Sequence, residues 1–216
     1  MIAGMQMLMP RLWATEAQPL PFDTSLSIRR FMLERDAGNM LVYGAGTPLA
    51  DVEEMRDRGG VARRYLNHRH ETAFGCGRID APLVVHTAER AAVERTCDVA
   101  GAFARRHRPA EDLEVIPTPG HTPGATSFLW DSGEHRLLFT GDTVYLRDGE
   151  WVAALLGSSD RAAYAESLEL MRDLDFDVLV PWAASRGGDA YSVVSNAEAR
   201  RRLDAILERV KAGEDH

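Results

Sequence analysis

The chain has 216 residues, of which 45% are hydrophobic, and its formal net charge at pH 7 is −8. This length and composition suffice for a substantial core, so we expect one domain, residues 1–216, with an N-terminal arm, residues 1–23. The acidic balance argues against binding to a nucleic-acid backbone, because that affinity comes from lysine and arginine. No apolar run approaches the length of a membrane span, and the Met-rich start lacks the pattern of a signal peptide.

The two cysteines, Cys76 and Cys97, form neither a disulfide framework nor a Cys-rich metal site, and they fit a reducing cytosol. We therefore expect a cytoplasmic protein that acts on a small molecule and has no nucleic-acid or membrane partner. The methionines of the N-terminal arm are typical of a docking or subunit contact, which leaves a homodimer open.

Apolar patterns and turn residues predict the elements in chain order. Residues 1–23 are expected to be irregular or a short edge strand, and Asp36-Ala37-Gly38-Asn39 supplies a hairpin turn. Strands are predicted at residues 25–34, 39–43, 61–67, 82–86, 113–117, 126–130, 136–140 and 176–181, and helices at 48–58, 88–107, 159–174 and 196–213. This order predicts an α/β fold with mixed sheets and helices on both outer faces.

Two histidines stand two positions apart at the end of a predicted strand. His68 and His70 lie in the stretch Tyr65-Leu66-Asn67-His68-Arg69-His70-Glu71-Thr72-Ala73. This spacing can place two imidazole nitrogens on one metal ion, although it also arises by chance in a chain with seven histidines. Its position in a loop that follows a strand favours a site, because functional residues are concentrated in such loops.

A third histidine and a carboxylate follow two later strands. His121 lies in the loop Thr118-Pro119-Gly120-His121-Thr122-Pro123-Gly124, where prolines and glycines fix a sharp turn. A histidine held in this way is either structural or a ligand. Asp142 follows the apolar stretch Leu137-Leu138-Phe139-Thr140 and Gly141, where a carboxylate either forms a turn or presents an oxygen ligand to a metal.

Together these motifs resemble those of the metallo-β-lactamase superfamily, especially its glyoxalase II-like hydrolases. His-x-His, then Gly-His-Thr-Pro-Gly, then Phe-Thr-Gly-Asp-Thr occur in the family order. The resemblance covers nearly the whole chain, from the Ser25 hairpin to the strand before Pro181. The resemblance implies an αββα sandwich, in which helices flank two mixed β-sheets and the metal site lies at the loops. It also implies that His68, His70 and His121 are ligands of a first metal, and that Asp142 is the carboxylate that bridges two metals.

The ligands of the family's second metal do not match. Thr72 and Ala73 stand where the pattern His-x-His-x-Asp-His has its aspartate and last histidine. Ala183, in Pro181-Trp182-Ala183-Ala184, stands where the family has its final histidine. All the first-site ligands are kept and three second-site ligands are lost, so we predict one divalent ion. Zinc is the first choice, and iron or manganese are alternatives.

Three functions follow from this resemblance. A hydrolase would cleave a small ester or thioester through metal-bound water, with Asp142 orienting or deprotonating that water. An iron oxygenase of the persulfide dioxygenase type would use His68, His121 and Asp142. A non-catalytic relative would keep the fold for binding or dimerisation. Weaker candidates near the predicted site are Glu71, Cys76, His86, Tyr145, Trp182, Ser185, Arg186 and Asp189.

Overall fold

The computed structural model describes residues 4–215. Its helices are α1 (Leu49–Asp57), α2 (Thr87–Val93), α3 (Arg161–Arg172) and α4 (Asn196–Ala212), with one 3₁₀ helix (Arg69–Phe74). Its strands are β1 (Gln6–Met9), β2 (Leu12–Ala14), β3 (Gln18–Pro19), β4 (Leu26–Ile28), β5 (Phe31–Leu33), β6 (Met40–Val42), β7 (Arg63–Tyr65), β8 (Leu83–His86), β9 (Gly101–Phe103), β10 (His107–Ala110), β11 (Leu113–Pro117), β12 (Thr126–Asp131), β13 (Arg136–Gly141), β14 (Tyr145–Arg147), β15 (Glu150–Val152), β16 (Val178–Pro181), β17 (Ala183–Ser185) and β18 (Ser192–Val193).

The described residues form two compact units. Unit 1 comprises the chain up to Gln18 together with Ile28–Ala104, and unit 2 comprises Pro19–Ser27 together with the chain from Arg105 onward. The prediction of one domain over residues 1–216 stays a prediction. None of the helices within residues 4–215 has the length and apolar character needed to span a bilayer.

Unit 1 contains a mixed sheet with the order β1-β2-β5-β6-β7-β8-β9. Its first strands pair antiparallel, and β6, β7, β8 and β9 pair parallel. The predicted hairpin turn joins β5 to β6, with Phe31 opposite Val42, and Gly38 supplies the positive φ of +100° that this turn requires. The N-terminal arm is more regular than expected. Its strands β1 and β2 form a hairpin, and β2 pairs with β5 of this sheet.

Unit 2 contains two sheets among the described residues. The first has the order β10-β11-β12-β13-β16-β18, and the second has the order β15-β14-β17-β4-β3. The predicted hairpin of β12 and β13 is confirmed, with Asp131 opposite Arg136. Helix α3 packs on α4, which begins at the Ser195 cap and ends at Gly213 in the left-handed region.

The fold class is confirmed: the chain is mixed α/β with several mixed sheets and helices. One predicted strand is wrong in detail. Residues 25–34 are not one strand, because the chain breaks at Arg29-Arg30 and β4 and β5 join different sheets. The described strands lie in three sheets.

The long helix predicted at residues 88–107 is also wrong. Helix α2 ends at Val93, and Glu94–Cys97 form a turn in which the amides of Thr96 and Cys97 donate to the carbonyl of Val93. The chain then returns to the sheet, where the amide of Ala100 donates to the carbonyl of Leu83 at 2.9 Å. Val99 and Gly101 favour this outcome because β-branched residues and glycine have low helix propensity.

Candidate metal centre

His68 and His70 are presented by the start of the 3₁₀ helix that follows β7. His68 is the N-cap of this helix, has extended backbone angles, and is fully buried, whereas His70 is half-buried. The two rings are perpendicular, with their centroids 4.9 Å apart. The abrupt change from strand to 3₁₀ helix therefore brings both imidazoles of the motif to one place.

Glu71 fixes the backbone of this turn. Its side chain is buried, and its Oε1 accepts hydrogen bonds from the amides of Asn67 at 2.6 Å and His68 at 3.3 Å. A carboxylate three residues after an N-cap that accepts the N-cap amide is one half of a capping box. Glu71 thus positions His68, and it does not belong to the cluster of potential metal ligands described below.

Two further charged groups hold the 3₁₀ helix in unit 1. The amide of Arg69 donates to Glu89 Oε2 of α2 at 3.0 Å. The buried guanidinium of Arg30 donates to the carbonyl of Ala45 at 2.9 Å and lies 5.4 Å from the ring centroid of Phe74. Burial lowers the pKa of Arg30 to about 10, against the attraction of nearby Glu71.

His121 is held in unit 2 by a loop packed closely against α3. Gly120 has φ +138°, and a Cβ atom there would lie 2.4 Å from the Cα of Tyr164. The carbonyl of Gly120 accepts the amide of Asp160, and the hydroxyl of Ser167 donates to the carbonyl of Pro119 at 2.7 Å. The Pro-Gly-His-Thr-Pro-Gly sequence is therefore needed for a close approach between this loop and the helix.

The contacts of His121 define which ring nitrogen can bind a metal. Its Nδ1 lies 2.6 Å from the carbonyl oxygen of Ala154, which can only accept, so Nδ1 carries the proton. Nε2 then carries the lone pair of the ring and lies 3.5 Å from Asp142 Oδ2. This is the usual arrangement of a ligating histidine, whose other nitrogen donates to a carbonyl or carboxylate.

Tyr164 of α3 connects the segments that carry His121 and Asp142. Its buried hydroxyl donates to the carbonyl of Thr143, lies 3.3 Å from the carbonyl of Asp142, and accepts the amide of Ala154 at 2.9 Å. Burial raises the pKa of Tyr164 far above its usual range, so this hydroxyl stays protonated and can donate. One side chain therefore fixes both the turn after Asp142 and the carbonyl that orients His121.

The predicted ligands form one cluster. His68, His70, His121 and Asp142 each offer one ligand atom, and these atoms all lie within 4.8 Å of one another. The members of the cluster differ in exposure: His68 and His121 are buried, whereas His70 and Asp142 are half-buried. Such a set of imidazoles and a carboxylate could hold a metal ion.

The geometry and the motifs agree with a comparison to known families. A family model described as the metallo-beta-lactamase superfamily matches residues 50–183, which is more than half of the chain. The chain belongs to the metallo-β-lactamase superfamily. No match is found among curated proteins.

Solved structures share the fold of this superfamily member. A metallo-β-lactamase from Pontibacter korlensis is 17% identical, with a TM-score of 0.71 over 96% of this chain and 98% of that chain. A metallo-β-lactamase from Pseudomonas aeruginosa in its mono-zinc form is 12% identical, with a TM-score of 0.68 over 95% and 94%. An archaeal superfamily protein from Sulfolobus tokodaii is 16% identical, with a TM-score of 0.61 over 91% and 86%.

Three residues were predicted to stand in place of second-site ligands, and the structure shows where each of them lies. The hydroxyl of Thr72 donates to the carbonyl of Arg69 at 2.7 Å, within the 3₁₀ helix. Ala73 is exposed and Ala183 is buried in β17, and a methyl group offers no ligand atom at either position.

The weaker candidates fall into positions with structural roles. Ser185 exchanges hydrogen bonds with the amide and carboxylate of Asp148, and it lines a surface cavity of unit 2 together with Arg186 and Asp189. His86 caps α2, because its Nδ1 accepts the amide of Ala88 at 3.2 Å. Tyr145 lines a second cavity of unit 2, Trp182 is buried, and Cys76 packs beside Cys97.

Sequence reasoning missed the residues that position the ligands. Tyr164 and Arg30 carry no motif, and only the structure brings them to the turns that they hold. Glu71 had a usable signal, because a glutamate three residues after a helix-capping position predicts a capping box.

Proposed function

We propose that this chain is a single-metal hydrolase, similar to the glyoxalase II-like branch of its superfamily, that cleaves a small ester or thioester. His68, His70, His121 and Asp142 would hold one divalent ion, with zinc as the first choice. The observation that supports this most is the convergence of these four ligand atoms within 4.8 Å.

The donor set fits zinc. Zinc in proteins takes imidazole nitrogen and carboxylate oxygen at about 2.0–2.2 Å in a tetrahedron, so neighbouring ligand atoms lie about 3.4 Å apart. His121 Nε2 and Asp142 Oδ2 are already 3.5 Å apart. The four ligand atoms all lie within 4.8 Å of one another, so no pair would have to close by more than about 1.4 Å to reach this spacing.

The residues at positions 72, 73 and 183, where a second metal ion would need ligands, favour one ion over two. The hydroxyl of Thr72 is turned to the carbonyl of Arg69, and Ala73 and Ala183 have no donor atom. The Pseudomonas aeruginosa metallo-β-lactamase of the same fold is described in a mono-zinc form, so this fold can hold one zinc ion.

Different residues of this chain would have different roles in hydrolysis. When bound, a zinc ion lowers the pKa of a coordinated water to about 7 and polarises a carbonyl oxygen. Ala154 keeps the Nδ1 proton of His121 in place, which leaves Nε2 as a lone-pair donor. Asp142 has a side chain 17% exposed and is the one carboxylate of the cluster, so it would orient the attacking water and accept its proton.

Metal analysis of protein purified without chelator tests this proposal. We expect about one zinc ion per chain and slow hydrolysis of small thioesters. His70→Ala removes a half-buried ligand with little loss of packing, and it should abolish both zinc content and hydrolysis. His135→Ala is the matched control, because His135 pairs with Asp177 outside the cluster.

The same measurement separates the alternatives. One iron ion with consumption of oxygen would favour the oxygenase that uses His68, His121 and Asp142. Absence of metal, with a melting temperature that His70→Ala leaves unchanged, would favour a non-catalytic binding module. Two ions per chain would contradict the single-metal proposal.

Restoring the lost ligands provides a gain-of-function prediction. In the variant Thr72→Asp/Ala73→His we expect zinc stoichiometry to rise from about one towards two, because the carboxylate and imidazole return beside His70. Position 73 is exposed, so the larger side chain meets little resistance. Equilibrium dialysis against zinc measures the change, and Thr72→Asn/Ala73→Gln is the control of similar size. Equal stoichiometry in both variants would mean that these positions do not limit the ion count.

A further inference from the structure

The only two cysteines of the chain are neighbours in unit 1, although 20 residues separate them in sequence. Cys97 is buried in an apolar cluster beneath β8, and Cys76 is half-buried and packs against that cluster. The packing of Cys76 against the cluster that contains Cys97 makes the two thiols neighbours. Neither thiol belongs to the cluster of proposed metal ligands, so the proposed hydrolase leaves this pair without a role.

Arg64 places a positive charge beside Cys76. Its Nη1 donates to the carbonyl of Cys76 at 2.9 Å and lies 3.6 Å from Cys76 Sγ, while its Nε donates to the carbonyl of Ala81 at 3.1 Å. The guanidinium therefore holds the loop after the 3₁₀ helix and places a cation beside the Cys76 sulfur. A cation beside a partly exposed thiol is the usual environment of a reactive cysteine.

The two cysteines differ in a way that sets an order of reaction. Burial raises the pKa of the Cys97 thiol to about 12, and the neighbouring Cys76 thiol adds to this effect. Cys97 thus stays a thiol, shielded from solvent, whereas Cys76 is accessible and lies beside Arg64. An oxidant from solution reaches Cys76 first.

We propose that Cys76 and Cys97 form a redox site that a peroxide converts into a reversible intramolecular disulfide. The Cys76 thiolate attacks one peroxide oxygen, the O–O bond breaks, and a sulfenic acid and hydroxide form. The Cys97 sulfur then attacks the Cys76 sulfur, the S–O bond breaks, and water leaves. The hydroxide takes up the remaining proton, so two thiols and one hydrogen peroxide give one disulfide and two waters. A thiol reductant reverses the reaction by exchange.

Titration of the full chain with hydrogen peroxide tests the proposal. We expect the intact mass to fall by two hydrogens and both thiols to become unreactive to alkylation after denaturation. A non-reducing tryptic digest should contain peptide 70–78 joined to peptide 96–105. Dithiothreitol should restore both thiols. The oxidised chain should also melt at a higher temperature, because the disulfide restricts the unfolded chain.

Cys97→Ala keeps the apolar packing and removes the resolving thiol. In this variant peroxide should add one oxygen to Cys76, which a dimedone-type reagent traps, and no linked peptide should form. The proposal is overturned if the wild-type chain gains oxygen on Cys76 while Cys97 remains open to alkylation. It is equally overturned if the only disulfide that forms joins two chains.

Discussion

The His68–His70 region and the His121–Asp142 region position their proposed ligands by opposite means. Around His68, the groups that fix the backbone are charged and buried: Glu71 accepts two amides, and Arg30 lies nearby with its guanidinium fully covered. Burying a charged group has a large desolvation cost. Removing one partner of a buried charge pair is strongly destabilising, because the other charge is left without compensation. This region should therefore respond mainly to changes of charge.

Around His121 the positioning groups are neutral. The hydroxyl of Tyr164 and the carbonyl of Ala154 supply the hydrogen bonds, and Gly120 allows α3 to approach the loop. Neutral hydrogen bonds contribute less each, whereas backbone packing at a glycine tolerates almost no added volume. This region should therefore respond mainly to changes of shape, and the following variants test that contrast.

Gly120→Ala should have the largest effect. The added methyl would lie 2.4 Å from the Cα of Tyr164, and φ +138° is strained for alanine, so we expect a loss of about 4 kcal/mol in unfolding free energy. Gly133→Ala is the control, because φ is +91° there but no atom lies within 4 Å of the new methyl. Urea unfolding compares the two. Equal losses would show that backbone strain alone, without the contact to α3, governs the loop.

Glu71→Gln should have the next largest effect. The glutamine side chain is nearly the same size, but it removes the negative charge near Arg30 and is a weaker acceptor for the amides of Asn67 and His68. We therefore expect a loss of about 3 kcal/mol in unfolding free energy. Glu94→Gln, in an exposed pair with Arg90, should cost less than about 1 kcal/mol. If Glu71→Gln were as mild as its control, buried charge would not be what holds this region.

Tyr164→Phe should lower the unfolding free energy by about 2 kcal/mol. The ring stays, but the buried carbonyl of Thr143 loses its donor and the amide of Ala154 loses its acceptor. Since Ala154 orients His121, kcat for thioester hydrolysis should fall more than KM changes. Tyr191→Phe, in the half-buried loop before β18, is the control. A Tyr164→Phe variant with unchanged kcat would separate the role of this tyrosine in folding from any role in positioning.

The same contrast explains what the sequence could predict. Local motifs, each lying shortly after a strand, made it possible to predict the candidate ligands His68, His70, His121 and Asp142. Tyr164 and Arg30 were not predictable, because their partners lie 10 or more residues away and depend on the packing of a helix or a strand. The motifs of the candidate ligands could be recognised in the sequence, whereas the tertiary contacts that hold their loops could not.

Fold elements follow the same rule. Hairpins with strong turn residues, such as the pair around Gly133, were placed correctly because a local signal determines them. The segment after Val93 was misplaced, because its alanines and arginines favour a helix while the edge of β8 offers hydrogen bonds to β9. Pairing with a neighbouring strand outweighed local propensity there.

The smallest expected effect concerns Glu114, a charged residue of unit 2 that is not one of the proposed ligands. Glu114 in β11 pairs with Arg106 at 2.6 Å, and this hydrogen bond holds the pKa of Glu114 below its ordinary value of 4.5. A carboxyl with a lowered folded-state pKa adds stability above its unfolded-state pKa, and that stability is lost as pH falls through the folded-state pKa. Arg106 is half exposed, so the contribution is less than about 1 kcal/mol. Urea unfolding at pH 6 and pH 3.5 should show a larger drop for the wild-type chain than for Glu114→Gln. Identical drops would mean that the Glu114–Arg106 ion pair adds nothing to the unfolding free energy. Stability would then depend on charge mainly in the His68–His70 region.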